Sequence, residues 1–224
     1  MIDYAEINQC LCDGKAREVD SLVRSALAEG RPVDEVLNDG LIAAMAVVGE
    51  DFKHNILYVP EVLIAARAMK AGMAVLKPLL TADAAKYPPR GTVIMGTVKG
   101  DLHDIGKNLV CMMAEGAGFR IVDIGVDQPV ERFIEACREH NAQIVGMSAL
   151  LTTTMPYMKT VIDSFQNVAD LAGVKIAIGG APVSQIFSEE IGADGYGSDA
   201  SSSVELFLRF ISEETSAPIA AGVA

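Results

Sequence analysis

Apolar positions recur at helical spacing through the first third of the chain, then give way to short continuous apolar runs. Between Ala16 and Ala28, Val19, Leu22, Val23 and Leu27 fall on one stripe. Val33 to Phe52 repeats the pattern with Val36, Leu37, Leu41, Met45 and Val48, and Pro60 to Leu80 with Val62, Leu63, Ala66, Met69, Met73, Leu76 and Leu80. Recurrence every three to four residues lays an apolar face along one side of a helix. A shorter helix is predicted over Tyr4 to Cys12, stopped by Asp13-Gly14. Four helices with short connections predict a small antiparallel bundle.

The stretch Ala84 to Arg90 contains Pro88-Pro89 and reads as a stiff connector, because paired prolines stop a helix and favour extended backbone. Beyond it, apolar runs lie at Thr92–Val98, Arg120–Ile124, Ile144–Met147 and Lys175–Ile178, with a weak fifth near Asp194–Tyr196. Helix-like segments follow each of them, at Ile105–Ala117, Val130–His140, Met155–Leu171, Val183–Ile191 and Ser202–Ser212. Such alternation predicts a parallel sheet covered on both faces, with any ligand at the carboxyl ends of the strands. The expected fold is therefore α/β: an N-terminal four-helix bundle at 1–86, a linker at 87–90, a Rossmann-like (flavodoxin-like) five-stranded domain at 91–214 and a disordered small-residue tail at 215–224.

Composition narrows the function classes. Half of the 224 residues are hydrophobic, as in a folded globular protein, and the formal net charge is -12. An acidic surface repels phosphate backbones, so nucleic acid is not an expected partner. The longest uncharged apolar run, Ile144 to Met158, is interrupted by Ser, Thr and Pro and falls short of a membrane span. The first residues, MIDYAEINQC, carry acids where a signal peptide has bases. Cys10, Cys12, Cys111 and Cys137 show no zinc-like pairing and read as reduced thiols of a cytoplasmic protein.

The candidate chemistry sits just after the first predicted strand. His103 stands between Asp101 and Asp104, bracketed by Gly100 and Gly106. The loop has neither G-x-G-x-x-G nor G-K-[ST], so a nucleotide-phosphate site is poorly supported. A lone histidine in a turn is ordinarily a capping or surface residue. Asp101 changes the picture, since a carboxylate two residues away can bond one ring nitrogen and aim the other outward, as metal-ligating histidines require. His103 with Asp104 alone would leave zinc under-coordinated. A metal there needs most of its ligands from outside the protein, as a macrocycle provides.

Two further strand ends carry small or hydroxylic residues, Ser148-Ala149-Leu150 followed by Leu151 to Thr154, and Gly179-Gly180. Asp101, His103 and Gly106, then Ser148 and Leu150, then Gly179 and Gly180, together resemble the D-x-H-x-x-G, S-x-L, G-G signature of the cobalamin-binding domain. Val48-Gly49-Glu50-Asp51-Phe52 and Tyr58-Val59-Pro60-Glu61 are similar to the helical cap of methionine synthase. They are still more similar to the corrinoid proteins of methanol, methylamine, betaine and methoxyarene methyltransferase systems. The resemblance covers residues 5 to 212.

That resemblance implies a cobalamin held base-off, with His103 as lower axial ligand of cobalt and Asp101 and Thr154 as its hydrogen-bonded relay. Gly100, Leu102, Asp104, Ile105 and Gly106 would belong to the same loop. Ser148, Leu150, Thr152, Gly179, Gly180 and Ala200 would surround the displaced nucleotide tail, and Asn38, Phe52 and Val59 would shield the upper face. The implied activity is carriage of a methyl group through Co(I) and methyl-Co(III), in a corrinoid subunit rather than a complete catalyst. The implied partners are a substrate-specific corrinoid methyltransferase, a second methyltransferase delivering to tetrahydrofolate or a thiol, and a reductive activator. The cap is expected to move about the 84–90 connector. A cobalamin-dependent sensor and the small subunit of an adenosylcobalamin mutase are the competing readings, both expected to carry an adenosyl upper ligand.

Overall fold

The computed structural model describes residues 2–82 and 86–216. Its first helices are α1 (Tyr4–Cys12), capped by the Asp3 side chain, and α2 (Ala16–Ala28). The segment predicted as one helix over Val33 to Phe52 is a continuous rod with an irregular start. A turn, α3 (Val33–Glu35), leads into a π-helical stretch, Val36–Ile42, and then into α4 (Ala43–Lys53). Wide π turns leave carbonyls poorly matched. The Asn8 amide of α1 meets two of them, donating to Asp39 O at 2.9 Å and Gly40 O at 2.6 Å. α5 (Val59–Ala82) completes the bundle.

The predicted apolar stripes form its core, with Val19, Val23, Val36, Leu41, Val48, Val62 and Leu76 all at 0% exposure. Of the 84–90 connector, Ala84 and Ala85 lie outside the described residues; Lys86 to Arg90 form an irregular turn leading to the sheet.

The second half alternates as expected: β1 (Thr92–Val98), α6 (Ile105–Gly116), β2 (Arg120–Gln128), α7 (Val130–His140), β3 (Ile144–Ser148), α8 (Pro156–Gln166), β4 (Lys175–Gly179), α9 (Gln185–Ile191), β5 (Gly195–Gly197) and α10 (Ala200–Ser216). The sheet order is β2-β1-β3-β4-β5 and every pairing is parallel. α6 and α10 cover one face through Cys111, Ala114, Leu206, Phe207 and Phe210. α7, α8 and α9 cover the other through Phe133, Ala136, Met158, Ile162 and Ile191. Strands buried on both sides explain why β1 is apolar or small without alternation.

Three elements depart most from the expected bounds. The predicted Met155–Leu171 helix ends at Gln166, and a separate 3-10 turn, Ala169–Leu171, follows. β2 runs four residues beyond Ile124, through Gly125 and Asp127 at positive φ, because its end follows the loop after β1. α10 starts at Ala200, where Asp199 Oδ1 accepts the Ser202 N–H at 2.8 Å, and continues through Thr215 and Ser216. The remainder of the expected tail, 217–224, lies outside the described residues.

The bundle rests on the outer surfaces of α6 and α10, where Leu109, Met113 and Ala200 join its core. Lys53 of α4 and Glu205 of α10 close the contact with an ion pair at 2.6 Å. Chain direction across the sheet reverses between β1 and β3, and the crevice outside their carboxyl ends is the natural ligand position of such a fold.

Candidate functional site

The loop after β1 is organised around the carboxylate of Asp101, which has 0% exposure. Its Oδ1 accepts the His103 backbone N–H at 3.1 Å and lies 2.7 Å from His103 Nδ1. Its Oδ2 accepts the N–H groups of Leu150 at 2.8 Å and Leu151 at 3.1 Å, and the Thr154 hydroxyl at 2.8 Å. One buried side chain thus ties the loop after β1 to the loop after β3, across the crevice where the strand order reverses.

Burial alone pushes this carboxyl's pKa up. The hydrogen bonds from His103, from Thr154 and from the Leu150 N–H outweigh it and hold the group well below the usual carboxylate range. An ionised carboxylate has no hydrogen to give, so Nδ1 must carry one. The Nε2 lone pair is then left for another partner, on a side chain that is 50% exposed. A metal-ligating imidazole needs this tautomer. The Thr154 hydroxyl also lies 2.9 Å from Leu151 O, but its single hydrogen goes to the stronger, charged acceptor.

Residues that sequence patterns did not single out fix the loop from below. Thr97 Oγ1 donates to His103 O at 2.9 Å. Asp127 accepts the Gly100 N–H on Oδ1 at 2.7 Å and donates its own N–H to Asp101 O at 2.9 Å. Lys107, 3% exposed, reaches Asp123 at 2.5 Å and Asn108 Oδ1 at 2.8 Å, and Asn108 in turn donates to Asp104 Oδ2 at 3.0 Å. None of these carries a spacing signal: a threonine in a strand and a lysine near a helix start are ordinary sequence features. Among the described residues no three His, Cys, Asp or Glu side chains gather as a metal cluster. His103 would be a solitary protein ligand.

Leu102 and Ile105 stand on either side of His103 at 71% and 77% exposure, with Leu150 and Leu151 exposed nearby. Beside this apolar floor a cavity of about 270 Å³ opens behind the strand ends, walled by Gly106, Ser148, Gly179, Gly180, Ala200 and Phe52 among others. Two of its glycines differ instructively. Gly180 has φ +128°, and a Cβ there would lie 1.9 Å from Ala149 O, so the fold itself requires glycine. A Cβ on Gly106 would meet no atom within 4 Å. Nothing in the chain demands glycine in that first helical turn, and a side chain there would only occupy the cradle. The donor set, the apolar floor and the cavity fit a flat macrocycle with a buried tail.

The structure therefore gathers most of the residues singled out from sequence. Gly100 makes the loop's turn at φ +84°, and Leu150 contributes its backbone N–H rather than its side chain. Thr152 is exposed and outside the cavity wall. Phe52 reaches that wall, whereas Asn38 and Val59 do not. The Asn38 amide is instead turned back onto Asp34 O at 2.9 Å in the π-helical stretch, and Val59 begins α5, half in solvent.

Comparison with known proteins finds matches over both parts of the chain. Residues 91–205 and residues 4–77 each match a family model described as a B12 binding domain. A corrinoid protein of Desulfitobacterium hafniense is 37% identical over 90% of this chain and 94% of its own length. The dimethylamine corrinoid protein of Methanosarcina barkeri is 40% identical over 89% of this chain and 92% of its own length. Among solved structures, the methanol:cobalamin methyltransferase complex of Methanosarcina barkeri superposes with a TM-score of 0.81 at 28% identity, covering 93% of this chain and 79% of that one.

Proposed function

The chain belongs to the B12-binding domain family of corrinoid proteins that serve methyltransferase systems, and on that premise we propose that it is a methyl carrier holding its cobalamin through His103. When bound, the corrin cobalt supplies the centre that takes up and gives up the methyl group. The polypeptide holds, orients and shields that centre. His103 Nε2 would be the protein's ligand to cobalt. Asp101 keeps the hydrogen on Nδ1 and so leaves the Nε2 lone pair available; Thr154 holds Asp101 in turn. Hydrogen-bond partners of a metal-ligating imidazole alter metal affinity by about 10- to 100-fold. Gly106, Ser148, Gly179, Gly180 and Ala200 would surround the nucleotide tail, and Phe52 would close the cavity from the bundle side.

In this reading residues 1–86 act as a cap and 91–214 as the cobalamin domain. A substrate-specific methyltransferase loads the carrier, a second one delivers to tetrahydrofolate or a thiol, and a reductive activator restores it. Support comes from the names of its relatives, which are corrinoid proteins for dimethylamine and trimethylamine, and from a structural neighbour solved together with its methyltransferase. Free cysteines are in keeping with a cytoplasmic protein. No described helix is long and apolar enough to cross a membrane.

The observation that carries the axial assignment is the 2.7 Å contact of His103 Nδ1 with a buried, ionised Asp101, which leaves Nε2 outward. The test is an absorption spectrum of protein reconstituted with hydroxocobalamin beside that of His103→Ala. The parent should show base-off, histidine-ligated cobalamin and the variant should lose the ligation; identical spectra refute the assignment.

A further inference from the structure

Residue 103 has four polar atoms, and two neighbours account for three of them. Its N–H and Nδ1 go to Asp101, at 3.1 and 2.7 Å. Its carbonyl oxygen accepts Thr97 Oγ1 at 2.9 Å. Nε2 is the remaining one. The peptide units before and after the imidazole are therefore both anchored, each to a fully buried side chain.

Thr97 has 0% exposure on β1, a strand hydrogen-bonded on both sides, and pairs in register with Ser148 of β3. A buried position between Gly96 and Val98 would suit valine, which has nearly the same shape and no hydroxyl to desolvate. Burying a hydroxyl costs free energy unless it is bonded, and here its partner is the carbonyl of His103. Asp101 anchors the ring and the peptide unit before it but leaves the peptide unit after it, with the His103 carbonyl, to another partner. The Thr97 bond supplies that second restraint. A ligand group must be held within about 0.5 Å of its productive position, and one freed peptide unit is enough to lose that.

The structure assigns Thr97 as a positioning residue for the axial imidazole: its hydroxyl sets the height and tilt at which Nε2 meets cobalt. This inference rests on the axial role of His103 proposed above, and its test separates the two. Wild type, Thr97→Val, Thr97→Ser and His103→Ala are reconstituted with cobalamin and reduced to the Co(II) state. Nitrogen splitting in the electron paramagnetic resonance spectrum then gives the ratio of histidine-bound to histidine-free cobalt. Thr97→Val should retain cobalamin, yet its bound-to-free ratio should fall about fivefold, the equivalent of one lost hydrogen bond. Thr97→Ser should restore the wild-type ratio. Should Thr97→Val not fold, Thr97→Cys, close in shape but a weaker donor, must show the fall instead. A wild-type ratio in the hydroxyl-free variant overturns the inference, as does a Thr97→Ser protein equally impaired. Absence of nitrogen splitting from wild type and His103→Ala alike sinks the axial role itself.

Discussion

Thr154 Oγ1 donates to Asp101 Oδ2 across 2.8 Å, joining two loops that lie 53 residues apart in sequence. Every group that touches the Asp101 carboxylate is a donor, so the pocket is shaped for an anion. An amide in its place must turn NH2 toward other N–H groups. Asp101→Asn is therefore expected to cost about 3 kcal/mol in urea unfolding, the range for losing bonds to a buried charged group. Thr154→Val should cost about 1 kcal/mol, a single hydrogen bond, and Thr154→Ser almost nothing.

The same carboxylate predicts an acid limb of stability. Its pKa is lower in the folded chain than in the unfolded one, so its contribution is complete above the unfolded value. The contribution is lost as pH falls through the folded value. The difference in unfolding free energy between wild type and Asp101→Asn should stay flat from about pH 8 to 5.5 and shrink only below about pH 4, near the unfolded carboxyl value. A difference that already shrinks near neutrality would contradict the assignment.

Gly106 and Gly180 should separate binding from folding. Alanine at Gly106 meets empty space and improves helix propensity, so the cofactor-free protein should melt slightly higher, by about 0.5–1 kcal/mol of stability. Cobalamin affinity should fall in that variant. Alanine at Gly180 forces a backbone collision with Ala149 O and should lower stability before any ligand is added. Calorimetry with and without cobalamin distinguishes the two.

The expected movement of the bundle is tested by locking it at one point. A Cβ on Gly49 would stand 3.4 Å from Ser201 Oγ, so side chains at these two positions meet across the contact between α4 and α10. The pair Gly49→Cys and Ser201→Cys, oxidised, should still bind cobalamin but lose methyl transfer, with recovery on reduction. Full transfer in the oxidised protein would show that the bundle need not shift.

Thiol chemistry gives an independent check on packing. Burial pushes the thiols of Cys111 and Cys137 up to about 12. Both should resist iodoacetamide at pH 8 in the folded protein and react once it is unfolded, because only the thiolate is nucleophilic. Mass spectrometry after timed quenching reads this directly.

The helices were legible where one apolar face repeats, as in Tyr4–Cys12 and Val130–His140, both found at the predicted bounds. The His103 loop was legible because its residue types are unusual together. Thr97 was not, since a β-branched residue in an apolar run looks like any strand former, and its hydroxyl acts on a carbonyl six positions on. The end of β2 was hidden by Gly125 and Asp127, which read as a turn until the neighbouring loop supplies partners. The π-helical stretch left no periodic mark either, because Val36, Leu37 and Leu41 suit either winding.

That wide stretch, Val36–Ile42, stores rotation upstream of Phe52. Rewinding it to ordinary α pitch with no residue removed would turn everything beyond by about one residue's 100°. The aromatic ring would swing off the cavity wall while the bundle kept its helices. The place of Phe52 on the cavity wall is thus set by the winding of a segment remote from it, and a change in that winding would misaim the ring without unfolding anything.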